Sequence, residues 1–365
     1  MKWRLNVVLF VLTVASVFSS QVIGEEHPWS RESLMHGLQF SGALLGILLA
    51  HEFGHFIAAR LHKVDASLPF FIPIPYLSPF GTMGAIIQMK SRIPTRRALL
   101  DIGASGPLAG LAVAIPLYAW GVAHSKIIPL ESGGIELGTS LLTKLLDHVF
   151  AAPVPAGQDI LLHPVAFAAW GGMFVTMINL LPVSQMDGGH VAYALFGPRQ
   201  DIYARHVHRA VLAFFFVSLG SYVFRDVRAG FGLVRFSHHV QSSMIWLLWF
   251  EVLAILGTLA SRGNPQKKKE MADDLGIRNR AVAILSIITL AALGDAFHKP
   301  IIWVAWAVVV GLTLAMERKS GVLRPHGLLD HPPTGAAPLD FKRKAIAVFT
   351  LAMFAALFMP TPFEI

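Results

Sequence analysis

The sequence predicts an all-α polytopic membrane protein of about nine transmembrane helices, interrupted by one re-entrant or interfacial β-loop near residues 66–93. Three observations carry that prediction. Hydrophobic residues make up 54% of the 365-residue chain and charged residues only 14%, where soluble domains carry about a quarter. Several apolar runs approach the roughly 20 residues that cross a bilayer. The net charge of +8 is gathered between those runs, not along a basic strip interleaved with aromatics, so it speaks for topology and against a nucleic-acid partner. Cysteine is absent, which removes disulfides and thiolate metal sites.

Nine spans follow in order, at 5–23, 34–60, 98–121, 161–181, 207–224, 242–261, 280–297, 300–316 and 343–360. Lys2 and Arg4 precede the first and place the N-terminus in the cytoplasm. This span reads as an uncleaved anchor, with a signal peptide cut near Ser19-Ser20 as the alternative. Glu25, Glu26 and Glu32 against Arg31 make the next connection external. Arg60, Lys63, Lys90, Arg92, Arg96 and Arg97, opposed only by Asp65, make the one after it internal. The loop near 122–160, with Glu131, Glu136, Asp147 and Asp159, falls outside. Lys267 to Lys269 and Lys342 to Lys344 fall inside, whereas Arg225, Arg228 and Arg235 dissent by falling outside. The spans at 280–297 and 300–316 are short enough to be one tilted hairpin instead of two crossings. The polar stretches 262–280 and 317–342, the latter with Pro325, Pro332 and Pro333, read as cytoplasmic loops.

Between the second and third spans, Pro69, Pro73, Pro75 and Pro79 break the helix pattern. Irregular backbone at membrane depth is tolerated only where protein or water covers it. Residues Gly84 to Met89 offer either a strand edge for an unwound peptide or simple interfacial packing. Gly103, Gly106 and Gly110 form a small-residue stripe suited to close helix packing. Glu251, in the middle of the sixth span, is read as making a structural hydrogen bond, with a second functional site as the alternative.

Chemistry concentrates in two segments. His51-Glu52-Phe53-Gly54-His55 is HExxH, and its helical spacing puts both imidazoles on one face, where they can hold one Zn²⁺. Glu52 in a hydrophobic helix costs about 2.5–3.5 kcal/mol on insertion scales, so a bound ion explains three ionisable groups better than helix packing does. Counting from residue 34, His51 lies about 26 Å down the helix at 1.5 Å per residue, in the cytoplasmic half of the bilayer. A catalytic zinc has three protein ligands and one open position. Asp187, expected in a turn that Gly188-Gly189 permit after the fourth span, is the candidate third ligand, with His190 its rival. Asn179 is a candidate for holding the substrate carbonyl or oxyanion, against the alternative of a helix–helix hydrogen bond. Glu52 is the candidate general base and acid.

HEFGH followed by NLLPVSQMDGGH resembles the site-2 protease family of intramembrane zinc metalloproteases, over roughly residues 34–200. The stretch Phe80 to Gln88, and then Gly103 to Pro107, is similar to a branch with plastid members in plants and bacterial relatives. The resemblance implies His51, His55 and Asp187 as ligands of one zinc, Glu52 as catalytic acid/base and Asn179 as a substrate-positioning residue. It implies membrane-anchored substrates cleaved in regulated intramembrane proteolysis, and a multi-pass protein of a bacterial inner membrane with its active site toward the cytoplasm. Many bacterial members carry a PDZ domain in an external loop; the loop near 122–160 is too short for one, so substrate gating must differ.

The expected organisation is an anchor and external loop at 1–33, a metalloprotease core at 34–200, and C-terminal helices and loops at 201–365. Expected partners are transmembrane substrates and membrane lipid; the oligomeric state is not read from the chain. A zinc transporter would spread acidic and histidine ligands over several spans, and an inactive scaffold would lack Glu52 or a ligand. This chain does neither.

Overall fold

The computed structural model describes residues 3–23, 27–75, 78–129, 136–232, 235–261, 274–320 and 329–364. Lys2, Glu25, Glu26, Glu131, Lys267 to Lys269 and Pro325 lie outside them. In chain order the elements are α1 (Trp3–Val22), α2 (Arg31–Leu61), β1 (Phe70–Pro73), β2 (Thr82–Ile86), α3 (Arg96–Ala123), β3 (Lys126–Pro129), β4 (Glu136–Leu137), α4 (Leu141–Phe150), β5 (Gln158–Leu161) and α5 (Pro164–Asn179). They continue with α6 (Asp187–Phe196), α7 (Gln200–Arg228), α8 (Phe236–Ser261), α9 (Gly276–Phe297), α10 (Pro300–Ser320), α11 (Phe341–Leu357) and β6 (Phe363–Glu364). The fold is an all-α polytopic membrane fold with small two-stranded sheets.

Two compact units divide the chain. The first comprises Met1–Ser132, Ser140–Leu181 and Thr334–Phe358; the second comprises Gly133–Thr139, Pro182–Pro333 and Met359–Ile365.

In the first unit α2, α3 and α5 pack on one another around Ile47, Leu99, Leu100, Ile102, Trp170 and Met173, all fully buried. Side-chain oxygens start the helices: Ser30 accepts from the Ser33 amide at 3.1 Å, Thr95 from Ala98 at 3.2 Å and Asp340 from Arg343 at 2.9 Å. That last bond holds the exposed Asp340 carboxyl below the usual carboxylate range. The expected β-loop is an antiparallel hairpin, pairing Phe70 with Ile86 and Phe71 with Ala85. The strand stops at Ile86, so residues 87–89 of the edge read from the sequence lie beyond it, apart from a bridge from Met89 to Ala66. Phe80, at the hairpin's turn, packs against Trp170 and Phe174 of α5 and occupies the place of any side chain at Gly171. α1 holds the hairpin from its other flank. Asn6 Nδ2 donates to the carbonyls of Leu68 and Pro69 at 3.0 and 2.8 Å, and Gln21 Nε2 to Pro79 at 3.0 Å.

In the second unit α7 packs on α8, α8 on α9, and α9 on α10. Arg280 ties the last three together from full burial. Its Nε and one terminal nitrogen donate to Glu317 at 2.6 and 2.9 Å, and the terminal nitrogens also reach Asp274 at 2.6 and 3.2 Å and Thr258 at 2.9 Å. Those bonds use all five guanidinium N–H groups. Glu251 is fully buried with Oε2 3.8 Å from Arg280 Nε, which places it beside this network, beyond the hydrogen-bond distance expected of it. Two of the three dissenting arginines stand on aromatic rings: Arg225 lies 5.2 Å from the Tyr222 ring centroid and Arg235 4.5 Å from that of Phe231.

Seven helices among the described residues are long and apolar enough to cross a membrane. The two other expected spans fall on α5, of 16 residues, and α11, of 17. At 1.5 Å per residue α5 reaches about 24 Å, short of a full hydrocarbon core of about 30 Å. Its helix stops at Asn179, and the chain from Leu180 to Val183 continues as an irregular but buried segment. α9 and α10, of 22 and 21 residues, are each long enough for a full crossing, so a tilted hairpin is not needed there.

Candidate metal centre

α2 brings three ionisable groups into one buried turn. His51 and His55 share a helix face, at 4% and 7% exposure, with Glu52 between them at 3%. Their Nε2 atoms stand 3.1 Å apart, with the rings edge to face. Two nitrogens bound to one tetrahedral zinc at about 2.0–2.1 Å lie roughly 3.3 Å from each other, so this spacing suits a single shared ion. His55 Nδ1 donates to the Ile102 carbonyl at 2.7 Å. A carbonyl only accepts, so the proton sits on Nδ1 and Nε2 keeps its lone pair, as a metal ligand requires.

That bond demands a close approach of α3 to α2, and glycines provide it. A side-chain carbon at Gly106 would overlap the His55 imidazole. One at Gly110 would stand 3.3 Å from His51 Cβ, and one at Gly54 would meet the Ser105 carbonyl. The stripe read from the sequence as helix packing is therefore also the cradle of the imidazoles, and cradle and donor set together fit a zinc ion. Neither the Ile102 carbonyl nor the glycine contacts are assigned by the sequence reading; the i, i+3, i+7 spacing of Gly103, Gly106 and Gly110 is the available signal. Asn179, the last residue of α5, brings Nδ2 to 3.4 Å from His51 Nε2. This is a long contact that sets the amide beside the imidazole face without a strong bond.

Asp187 belongs to the second unit and does not lie in a turn. It is the first residue of α6, half-buried, and the turn expected at Gly188-Gly189 comes earlier, at 180–186. Ser184 takes the left-handed φ of 49° there, and Met186 N–H bonds the Val183 carbonyl at 3.1 Å. Gly189 serves a close approach, since a side chain would strike the carbonyls of Val183 and Ser184. Asp187 stands where α6 begins, and the N-terminus of a helix favours a carboxylate. His190, the rival ligand, has Nδ1 engaged by His331 Nε2 at 2.7 Å.

The model of peptidase family M50 matches residues 39–221, a stretch that contains both motifs and half of the chain. The chain belongs to peptidase family M50. The match bears out the resemblance to site-2 proteases. Similar proteins include the probable zinc metalloprotease EGY1, chloroplastic, of Arabidopsis thaliana, 35% identical over 167 residues, which are 44% of this chain and 30% of the relative. EGY1 of Oryza sativa subsp. japonica is 38% identical over 160 residues, covering 42% of this chain and 27% of the relative. EGY2 of Arabidopsis thaliana is 30% identical over 177 residues, 46% and 30% of the two chains. The matched part of this M50 member thus spans less than a third of those relatives' length. No solved structure matches it. These relatives are named as chloroplastic, so they lend no support to the bacterial inner membrane expected from the sequence.

Proposed function

We propose that this M50 member is a zinc-dependent endopeptidase that hydrolyses peptide bonds in or near transmembrane segments of membrane proteins, in regulated intramembrane proteolysis. The observation that carries the reading is the pair of buried imidazoles 3.1 Å apart, one of them locked by a backbone carbonyl, with a buried glutamate between them on one helix. His51, His55 and Asp187 are the residues that would hold one zinc. When bound, zinc acidifies a water toward a pKa of about 7 and polarises the scissile carbonyl. Glu52 takes the proton of the attacking water and delivers it to the leaving nitrogen. Asn179, whose amide stands beside His51, holds the substrate carbonyl.

Substrate class follows from the setting. The catalytic turn lies within a 31-residue apolar helix, where a soluble peptide has poor access and a transmembrane helix can enter from the side. An unwound segment has a docking edge in β2, whose Met83 and Ile86 are exposed. Lipid is the second partner, met by exposed apolar side chains such as Leu285, Val304 and Leu312. By the positive-inside rule the connection carrying Arg92 faces the cytoplasm or its organellar equivalent, and the site lies in that half of the bilayer. A cysteine beside Arg92 in this Cys-free chain should react with impermeant thiol reagents only from the cytoplasmic face or its organellar equivalent. Labelling from the opposite face alone would reverse the orientation.

Glu52→Gln tests the mechanism. It removes the base and leaves the ligands, so zinc content should stay while cleavage of a membrane substrate drops by about 100-fold or more. Chelation should abolish cleavage by the parent protein, and added zinc should restore it. Undiminished cleavage by the glutamine variant would sink the peptidase reading.

A further inference from the structure

α6 carries the proposed third ligand on a helix of only ten residues. Helices shorter than about 12–15 residues are marginal alone, and its N-cap, Met186, supplies no side-chain hydrogen bond. A strap at 329–332, far along the chain, packs against it. His331, 5% exposed, stacks on Tyr193 of α6 with ring centroids 4.3 Å apart. Its backbone N–H donates to Asp201 Oδ1 of α7 at 3.0 Å, and the neighbouring Asp330 accepts from Arg205 at 3.1 Å. Leu329, 2% exposed, seats the strap's other end.

For a neutral His331 ring, the hydrogen-bond directions within the strap follow from the carbonyl beside it. His331 Nδ1 lies 2.7 Å from the Pro332 carbonyl, which only accepts, so Nδ1 carries the proton of the neutral ring. His331 Nε2 then accepts, and its partner at 2.7 Å is His190 Nδ1–H. His190 stands three residues after Asp187, on the same face of α6. The carbonyl–imidazole–imidazole chain therefore grips α6 one turn from the carboxylate.

We infer that His331 is a positioning residue for the metal centre: through His190 it sets the depth and rotation of α6, and so the placement of Asp187. The inference rests on the reading of Asp187 as a zinc ligand. Groups that orient metal ligands from behind typically change affinity or activity by about 10–100-fold when lost.

The test uses the full chain in detergent, reading zinc affinity by competition with a chelator, together with kcat and KM on one membrane substrate. His331→Phe keeps a ring against Tyr193 and removes the acceptor. Zinc affinity should fall about 10–100-fold, and kcat should fall with KM little changed. His331→Gln, whose amide oxygen accepts from His190, should recover most of that loss. His190→Phe should match His331→Phe, and the double variant should be no worse than either, since both break one link. If His331→Phe fails to insert, His190→Phe against His331→Gln gives the same contrast. Zinc affinity and turnover within twofold of the parent in His331→Phe, no recovery in His331→Gln, or losses that multiply in the double variant, would each overturn the inference. Asp187→Ala in the same assay separates the two readings. Full zinc affinity in that variant defeats the ligand assignment itself, whereas loss there with none in His331→Phe defeats only the strap's role.

Discussion

A methyl group at Gly106 would occupy the space of the His55 imidazole. Gly106→Ala must therefore push α3 back or rotate His55 away from the Ile102 carbonyl, and either movement spoils the pair of Nε2 atoms. Overpacking of this kind costs about 1–3 kcal/mol, and the displaced ligand should lower zinc retention about tenfold or more. Gly42→Ala on α2 is the control: no atom lies within 4 Å of the new methyl, so zinc should stay and helix stability should rise by up to about 1 kcal/mol. Metal content after dialysis and thermal unfolding of both variants decide the matter, and equal zinc in the two would show that the cradle is not tight. The same site shows what a sequence can disclose at this scale. HExxH is legible because its four-residue spacing is a property of one helix. The Ile102 carbonyl that sets the tautomer is 47 residues away from His55 and belongs to the backbone, which no residue type announces. His331 escapes for the same reason: a histidine in a Pro-rich stretch has no ligand spacing to read, and only its contact with His190, 141 residues away, gives it meaning.

Among elements, α8, α9 and α10 depend on one cation. Arg280→Met would leave the buried carboxylates of Glu317 and Glu251, and the partly buried one of Asp274, without their shared guanidinium. Removing one partner of a buried ionic network is destabilising by about 3–5 kcal/mol, because the remaining charges stay out of water. Thermal unfolding in detergent should register that loss. Arg280→Lys should recover only part of it, since an ammonium cannot reproduce five donors in a planar fork. A melting temperature unchanged in Arg280→Met would mean that the network contributes no stability. Arg280 was legible only as the basic start of a span, because its partners come from three separate stretches of chain. The long helices themselves were legible, as continuous apolar runs must be where backbone groups bond internally. The end of α5 and the start of α6 were less so. The turn between them contains Leu180, Leu181 and Val183, all buried, so hydropathy runs through it without a break and Pro182 is the sole local warning. For the same reason Asp187 reads as a turn residue, although it opens a helix.

For the molecule as a whole, the proposed reaction is limited by what a transmembrane substrate must give up to be cut. A continuous helix keeps its carbonyls in the i→i−4 ladder, and nothing in hydrocarbon replaces those bonds. His51, Glu52 and His55 are buried, so a substrate must both reach them and release its own ladder before Glu52 can act. β2 can compensate an unwound segment by offering strand bonds, but only after the substrate's own ladder has been released. Residues that weaken a helix should therefore set the rate. Gly and Pro make a helix less favourable by about 1 and 3 kcal/mol relative to Ala, and about 1.4 kcal/mol is tenfold in an equilibrium. In one substrate, with insertion shown to be equal, Gly or Pro near the half of the span that faces the site should raise cleavage several-fold to more than tenfold over a poly-Leu span of the same length. The dependence should appear in kcat at saturating substrate, since unwinding follows entry. Moving the same Gly or Pro to the distant half of the span should remove the gain, because unwinding there exposes carbonyls that Glu52 cannot serve. Equal rates for all three substrates would mean that entry between the helices, and not release of the ladder, governs turnover.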